Sequence, residues 1–348
     1  MRLQLAAALL LAAPITLQAQ TATAWPEADK LFHYDPRWLG ADAAYSVDLG
    51  KGRVLWIFED TFLAAYPGSL KRSDGHFLHN TVAIQHGYNP AHATIDFHWR
   101  IEGNSPSEIF PNEGPVWIWP DDGIRLGNSL IVFGERVVSD GTSGFKSDGW
   151  NAYLIRNPDS NPSTWKPKKI SEQHDAVTMA SAILREGQYI YIFGESEPEH
   201  ELYVARVSAA HLEQGTLDAL AWWTGSNWST NTSLRKPILH EGGTETSVQR
   251  DPTGIGFIEV NSRGFGATDI VMRHALEFTG PWSDALKIYR PPESDGPDPF
   301  VYAGKSHAEL QGADLILTYA TNSFTDAAMD DLTRYFPRFV RVTLTLGH

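Results

Sequence analysis

The 348 residues are 42% hydrophobic, 20% charged and 11% aromatic, enough for a large core, which excludes a disordered polymer. Against 28 basic residues stand 42 acidic ones; the formal charge of -14 disfavours nucleic acid and anionic membrane surfaces as partners and favours a neutral ligand. Zero cysteines exclude disulfides and a lipidated cysteine.

Met1-Arg2, the apolar run from Leu5 to Ala13, Pro14 and the small residues from Ala19 to Ala22 follow the layout of a secretory leader, expected over 1–19. The run is too short to span a membrane. The expected location is therefore periplasmic or extracellular, and 20–348 is expected to form one domain.

An apolar strand then recurs at intervals of 60 to 75 residues: Leu55 to Asp60, Leu130 to Glu135, Ile190 to Glu195, Ile255 to Val260 and Leu315 to Ala320. Each follows a turn signal, such as Gly50-Lys51-Gly52 or Gly127-Asn128, so a first strand is predicted before every copy. Third strands are predicted over Thr81 to Gln85, Ala152 to Arg156, Leu202 to Val207, Ile270 to His274 and Phe339 to Leu344. Fourth strands are predicted over Phe97 to Trp99, Trp165 to Ile170, Leu220 to Trp223 and Ala285 to Tyr289. The fifth unit runs out of chain, and Leu31 to Tyr34 is expected to complete it. Five such units predict an all-β, five-bladed β-propeller with four antiparallel strands per blade.

In that architecture the entry of a first strand and the exit of a second share one mouth of the central channel. Asp42 precedes the first strand of unit one, while Asp60, Glu135 and Glu195 end second strands. Glu245 follows Gly242-Gly243-Thr244 at the entry of unit four. Carboxyls crowded in a partly dry funnel shift one another's pKa, and one acid kept protonated beside one kept ionised suits glycosidic cleavage. For Glu135 and Glu195 the plain alternative is solvent exposure at strand ends, and for Glu245 a solvated loop.

Gly40-Ala41-Asp42-Ala43-Ala44-Tyr45-Ser46 and Leu55-Trp56-Ile57-Phe58-Glu59-Asp60-Thr61 resemble the opening blade of the five-bladed propeller glycosidases, relatives of arabinanases and β-xylosidases. The likeness is strongest to a branch of domains of unknown function that includes endo-D-arabinanases. It continues through His79-Asn80-Thr81, Trp119-Pro120-Asp121-Asp122-Gly123, Glu245-Thr246-Ser247, Gly280-Pro281-Trp282 and Ser306-His307-Ala308. The branch carries Gly where Glu59 and Asp121 stand, so Asp122 is the transferable acid. The resemblance implies a glycoside hydrolase acting on a furanose-containing, arabinan-like glycan. Asp42 is then the base or nucleophile and Glu245 the acid, with Asp60 and Asp122 tuning pKa or binding hydroxyls.

Asp42 and Trp119 lie eight residues before their turn glycines, but Asp122 and His307 lie five before, so alternation sends the two sets to opposite faces unless a bulge at Pro120 intervenes. His307 is either a substrate contact or a satisfied structural histidine. Asn80 is expected to donate to a sugar hydroxyl or orient Asp60, or else to begin a strand, and Glu195 is a further candidate sugar contact. Among 12 tryptophans, Trp119 is the stacking candidate. Nucleotide loops, zinc spacings and nucleophile elbows are missing, so no cofactor is indicated; the resemblance admits a structural calcium ion that no oxygen-rich loop demands. Asn261-Ser262-Arg263-Gly264-Phe265-Gly266 reads as a hairpin turn. A non-catalytic glycan-binding propeller is the alternative function, and a protein-interaction propeller a third.

Overall fold

A computed structural model describes residues 17–346 apart from 143, 244, 324 and 326–328. Most of the expected leader, 1–16, lies outside the described residues. The chain is mostly β, and no described helix is long and apolar enough to cross a membrane.

Five antiparallel sheets of four or five strands follow one another along the chain, beside one small sheet of three strands and one of two. Sheet I holds Tyr45–Gly50, Arg53–Phe58, Thr81–His86 and Thr94–His98. Sheet II holds Trp117–Leu126, Ser129–Ser139, Phe145–Arg156 and Lys168–Gln173. Sheet III opens with Val177–Glu186, Tyr189–Ser196 and Glu201–Ser208 and ends with two short strands. Sheet IV holds Thr246–Arg250, Phe257–Ser262, Ile270–Ala275 and Leu286–Tyr289. Sheet V holds Val301–Ser306, Leu315–Thr321 and Arg338–Leu346, with Leu17–Ala24 on its outer edge.

The second strands read as unbroken apolar runs because both of their faces are covered. Leu55 and Ile57 join a cluster with Leu130 and Val132 of sheet II, whereas Trp56 and Phe58 join one with Ile316 and Phe339 of sheet V. Ile131 and Phe133 meet Ile190 and Ile192 of sheet III; further clusters fill III to IV and IV to V. Each fully buried aliphatic or aromatic side chain contributes about 1.5–3 kcal/mol. The first strands neighbour one another in the order I, II, III, IV, V. Sheet V returns to sheet I through His307 Nδ1, 2.6 Å from Ser46 Oγ, and through Lys305 Nζ, which donates to the carbonyl of Ala43.

Three expectations change. Leu31 to Tyr34 is no strand: Lys30–His33 is a 3-10 turn that buries Phe32 edge-on against Trp56 (5.0 Å) and stacked on Phe339 (5.2 Å). Sheet V is completed instead by Leu17–Ala24, antiparallel to the last strand, with Ala24 opposite Val340. In sheet IV the second strand starts at Phe257, two residues late, because Ile255 and Gly256 still belong to the turn. There Asp251 Oδ1 accepts from the Thr253 amide, and Gly256 sits at φ 77° with its α-carbon against the carbonyl of Ala275. The fourth strand of sheet II starts at Lys168, since Trp165 closes the turn Pro162–Thr164.

Register breaks recur in first strands: one extra residue lies between Pro120 and Gly123 and between Tyr302 and Lys305, and two between Met179 and Ala182. Each single insertion reverses which side of the strand the following residues present, whereas the double one preserves it.

Candidate functional site

Asp42 stands just ahead of sheet I, followed by Ala43 and Ala44, both at φ 59°, a left-handed pair that only surrounding contacts can hold. Its Oδ2 accepts from the hydroxyls of Tyr302 (2.7 Å) and Tyr335 (3.0 Å), while Oδ1 is buried without a hydrogen-bond partner. Burial pushes this carboxyl up to about 8, helped by the charges of Asp60 and Glu245 and opposed by the two phenols. Asp60, at the exit of the second strand, accepts at Oδ1 from Trp119 Nε1 (2.8 Å) and pairs there with His79 Nδ1 (2.9 Å). The His79 ring stacks on Trp117 at 5.0 Å.

Glu245 enters sheet IV with Oε2 buried and without a hydrogen bond; Lys305 Nζ lies 3.5 Å away. Burial raises its pKa, and Lys305 opposes the rise. Glu59 and Asp121 complete the group. Burial holds both far above the usual carboxylate range, reinforced for Glu59 by Glu245 and Asp42 and for Asp121 by Glu135 and Glu245. Asp121 Oδ2 is likewise buried and unpaired. Lys305 is the ammonium beneath: 2% exposed, bonded to the carbonyls of Ala43 and Ala303, and 4.3 Å over the Tyr45 ring. The five carboxyls of Asp42, Glu59, Asp60, Asp121 and Glu245 with one ammonium would carry a net charge of −4 if all ionised, so at neutral pH the group must retain protons and titrate as a unit.

The structure therefore brings Asp42, Asp60 and Glu245 together and leaves Asp122 out. The bulge at Pro120 turns Asp121 into the group, while Asp122 accepts from the amides of Gly123 and Ile183 (2.7 Å each), tying sheet II to sheet III. Burial pushes Asp122 up to about 8 even so. Asn80 is fully buried; it donates to the carbonyls of Phe110 and Ile118 and accepts from the Phe110 amide, which leaves nothing for a sugar or for Asp60. His307 is buried between Ser46 Oγ and Thr318 Oγ1 (2.6 and 2.7 Å), the structural alternative. Trp119 spends its indole N–H on Asp60, and Phe145 packs edge-on against its ring at 4.6 Å.

Glu135 and Glu195 lie at the same mouth, each pushed up to about 7 by burial, with Glu195 partly offset by His200, whose Nδ1 is 2.5 Å from its Oε1. Among the described residues, Glu195, Glu197 and His200 are the group whose ligand atoms converge, within 4.8 Å, closely enough for a metal ion. A cavity of about 280 Å³ opens between His200, Glu241, Glu245, Phe265 and Tyr302. Sequence reasoning missed Glu59, Asp121, Lys305, Tyr302 and Tyr335. Only Lys305, a lone cation inside an apolar strand, carried a readable signal.

The fold is shared with solved structures at low identity. A Bacteroides ovatus protein described as a candidate hydrolase superposes with a TM-score of 0.75 at 17% identity, covering 92% of this chain and 90% of that one. The catalytic domain of a GH62 α-L-arabinofuranosidase from Coprinopsis cinerea reaches 0.50 at 10%, covering 89% and 92%. A GH62 hydrolase solved with xylotriose also reaches 0.50, at 9%, covering 87% and 91%. No curated protein matches the sequence. Residues 27–344 match the family described as a domain of unknown function, DUF5005, and the chain belongs to that family.

Proposed function

We propose that this protein is an exported glycoside hydrolase, a closed five-bladed β-propeller that cleaves a neutral, furanose-containing glycan at the Asp42 mouth. The observation that carries the reading is the meeting of Asp42 and Glu245, two carboxyls from distant sheets, the first with a buried oxygen that accepts no hydrogen bond and the second with one that faces only the Lys305 ammonium at 3.5 Å. Burial leaves Asp42 raised to about 8, and the two phenols that donate to it oppose that rise and stabilise the carboxylate it must become to act as a base toward water or a nucleophile. Glu245, whose pKa is raised, keeps a proton for the departing oxygen. Asp60, fixed by Trp119 and His79, adds the charge that tunes Asp42. The chemistry runs on carboxyls and water. The formal charge of -14 and the acidic mouth select against uronic acids, and the arabinofuranosidase among the fold relatives points to a furanose.

The test is incubation of the purified chain with neutral polysaccharides, arabinan first, with chromatography of the released sugars. Release that disappears in Asp42→Asn is the expected result. Binding without release would leave a glycan-binding protein and end the hydrolase reading. Product anomeric configuration would then separate a carboxyl spacing of ~5 Å from one of ~6.5–9.5 Å.

A further inference from the structure

The hairpin between the second and third strands of sheet IV displays one aromatic ring at its tip. Phe265 is 58% exposed, between Gly264 at φ 78° and Gly266 at φ 94°. An exposed phenylalanine on a floppy loop would mean little, but this loop is pinned. Gly266 and Val301 exchange both backbone hydrogen bonds (3.0 and 3.1 Å), and Thr268 Oγ1 donates to the carbonyl of Arg263 (2.8 Å). The ring is thereby held 5.7 Å from Tyr302 and 6.2 Å from Phe300, which itself lies 5.2 Å from Tyr302. Tyr302 in turn donates to Asp42, so this aromatic wall runs from the reacting carboxyl out to solvent.

Phe265 and Tyr302 line the cavity of about 280 Å³ together with Glu199, His200, Glu241 and Glu245. The lining thus combines π-faces with acceptors and an imidazole. That combination matches a sugar ring, whose C–H face stacks on aromatics while its hydroxyls donate to carboxylates. Three carboxyls around the space oppose a uronate, which Arg263 cannot offset because it pairs with Glu241 at 3.4 Å. We infer that this cavity is a binding subsite for a neutral sugar ring, stacked on Phe265 and lying on the leaving-group side of the bond because it borders Glu245. The side assignment rests on the hydrolase reading; the binding site does not.

The experiment is native gel electrophoresis of the full chain through gels cast with arabinan, arabinoxylan, galactan or polygalacturonate, repeated with Phe265→Ala and with Leu276→Ala. Leu276 is 71% exposed and serves as the control. Expected is retardation of the parent by at least one neutral polysaccharide and not by polygalacturonate, weakened about tenfold or more in Phe265→Ala and unchanged in Leu276→Ala. Equal retardation of Phe265→Ala and parent, no retardation of the parent by any neutral polymer, or equal retardation by polygalacturonate would each overturn the inference. Phe265-dependent binding without sugar release would remove the hydrolase reading and leave this site standing. Sugar release with binding indifferent to Phe265 would do the reverse.

Discussion

The two ends of the bundle of first strands use the same residue types to opposite effect. At the end around Asp42, carboxyl oxygens of Asp42 and Asp121 are buried without a hydrogen bond, and that of Glu245 has only the Lys305 ammonium, 3.5 Å away. Toward the other end, Asp122 takes two backbone amides, Asp48 takes the Gly50 amide and the Tyr88 hydroxyl, and Arg125 grips Asp159 through both guanidinium nitrogens (2.6 and 3.0 Å). One end is satisfied apart from Glu309 Oε1 and contributes to stability; the other stores unfavourable electrostatics that a substrate and a proton transfer can relieve. A site that departs from local satisfaction while the rest of the scaffold obeys it is where chemistry is expected.

The contrast breaks first, and most heavily, in turnover. Glu245→Gln should lower the rate on a natural glycan by about 10²–10⁴-fold, with part of it restored on aryl glycosides whose leaving group needs little protonation; steady-state rates on both substrates check this. An equal loss on both would mean that Glu245 is not the proton donor. Asp122→Ala should do the opposite: activity persists, while unfolding becomes easier by about 1–3 kcal/mol for each amide left without an acceptor, read from urea denaturation.

The buried carboxyls of both ends set the response to pH. Asp42 and Asp122 are raised to about 8 and Glu135 to about 7, so the folded protein binds more protons than the unfolded chain from about pH 4 upward. Stability should therefore be greatest on the acidic side and fall as pH rises towards 8, seen as a melting temperature higher at pH 5.5 than at pH 8. Glu59→Gln removes one crowded carboxyl without changing shape and should flatten that slope; a steeper slope would contradict the crowding. The smallest effect is expected at the satisfied end: Asp48→Ala, an exposed residue, should cost no more than about 1 kcal/mol and leave turnover unchanged.

Much of the fold was legible because a second strand covered on both faces leaves an unmistakable apolar run, as in Leu130 to Phe133, behind a glycine turn. Leu17–Ala24 was not, since its partner lies more than 300 residues away and its small, polar residues carry no core signal. Asp42, Asp60 and Glu245 could be singled out because strand entries and exits reach one mouth whatever the register. Asp121 and Asp122 were exchanged because a one-residue bulge inverts alternation, and a sequence does not announce how many residues a bulge inserts. Tyr302 and Tyr335 were invisible for another reason: they reach Asp42 from positions some 260 to 290 residues distant. Asn80 and His307 carried polar side chains that bury themselves in ordinary structural work.

The pairing of Leu17–Ala24 with the last strand gives the molecule an unusual mechanical character. Beyond the expected leader, Thr21 faces Thr343 across the sheet, so both strands leave it at the same corner. A force pulling those two residues apart would open the ladder one hydrogen bond at a time, as a zipper, and never load several bonds in parallel. The N-terminal strand would peel away at low tension while the clusters that hold sheet V to its neighbours stayed packed. For the same reason a short linker could join the two corner residues, because paired strands lie about 5 Å apart, and the chain could be reopened at a hairpin such as Lys51-Gly52 with every sheet preserved.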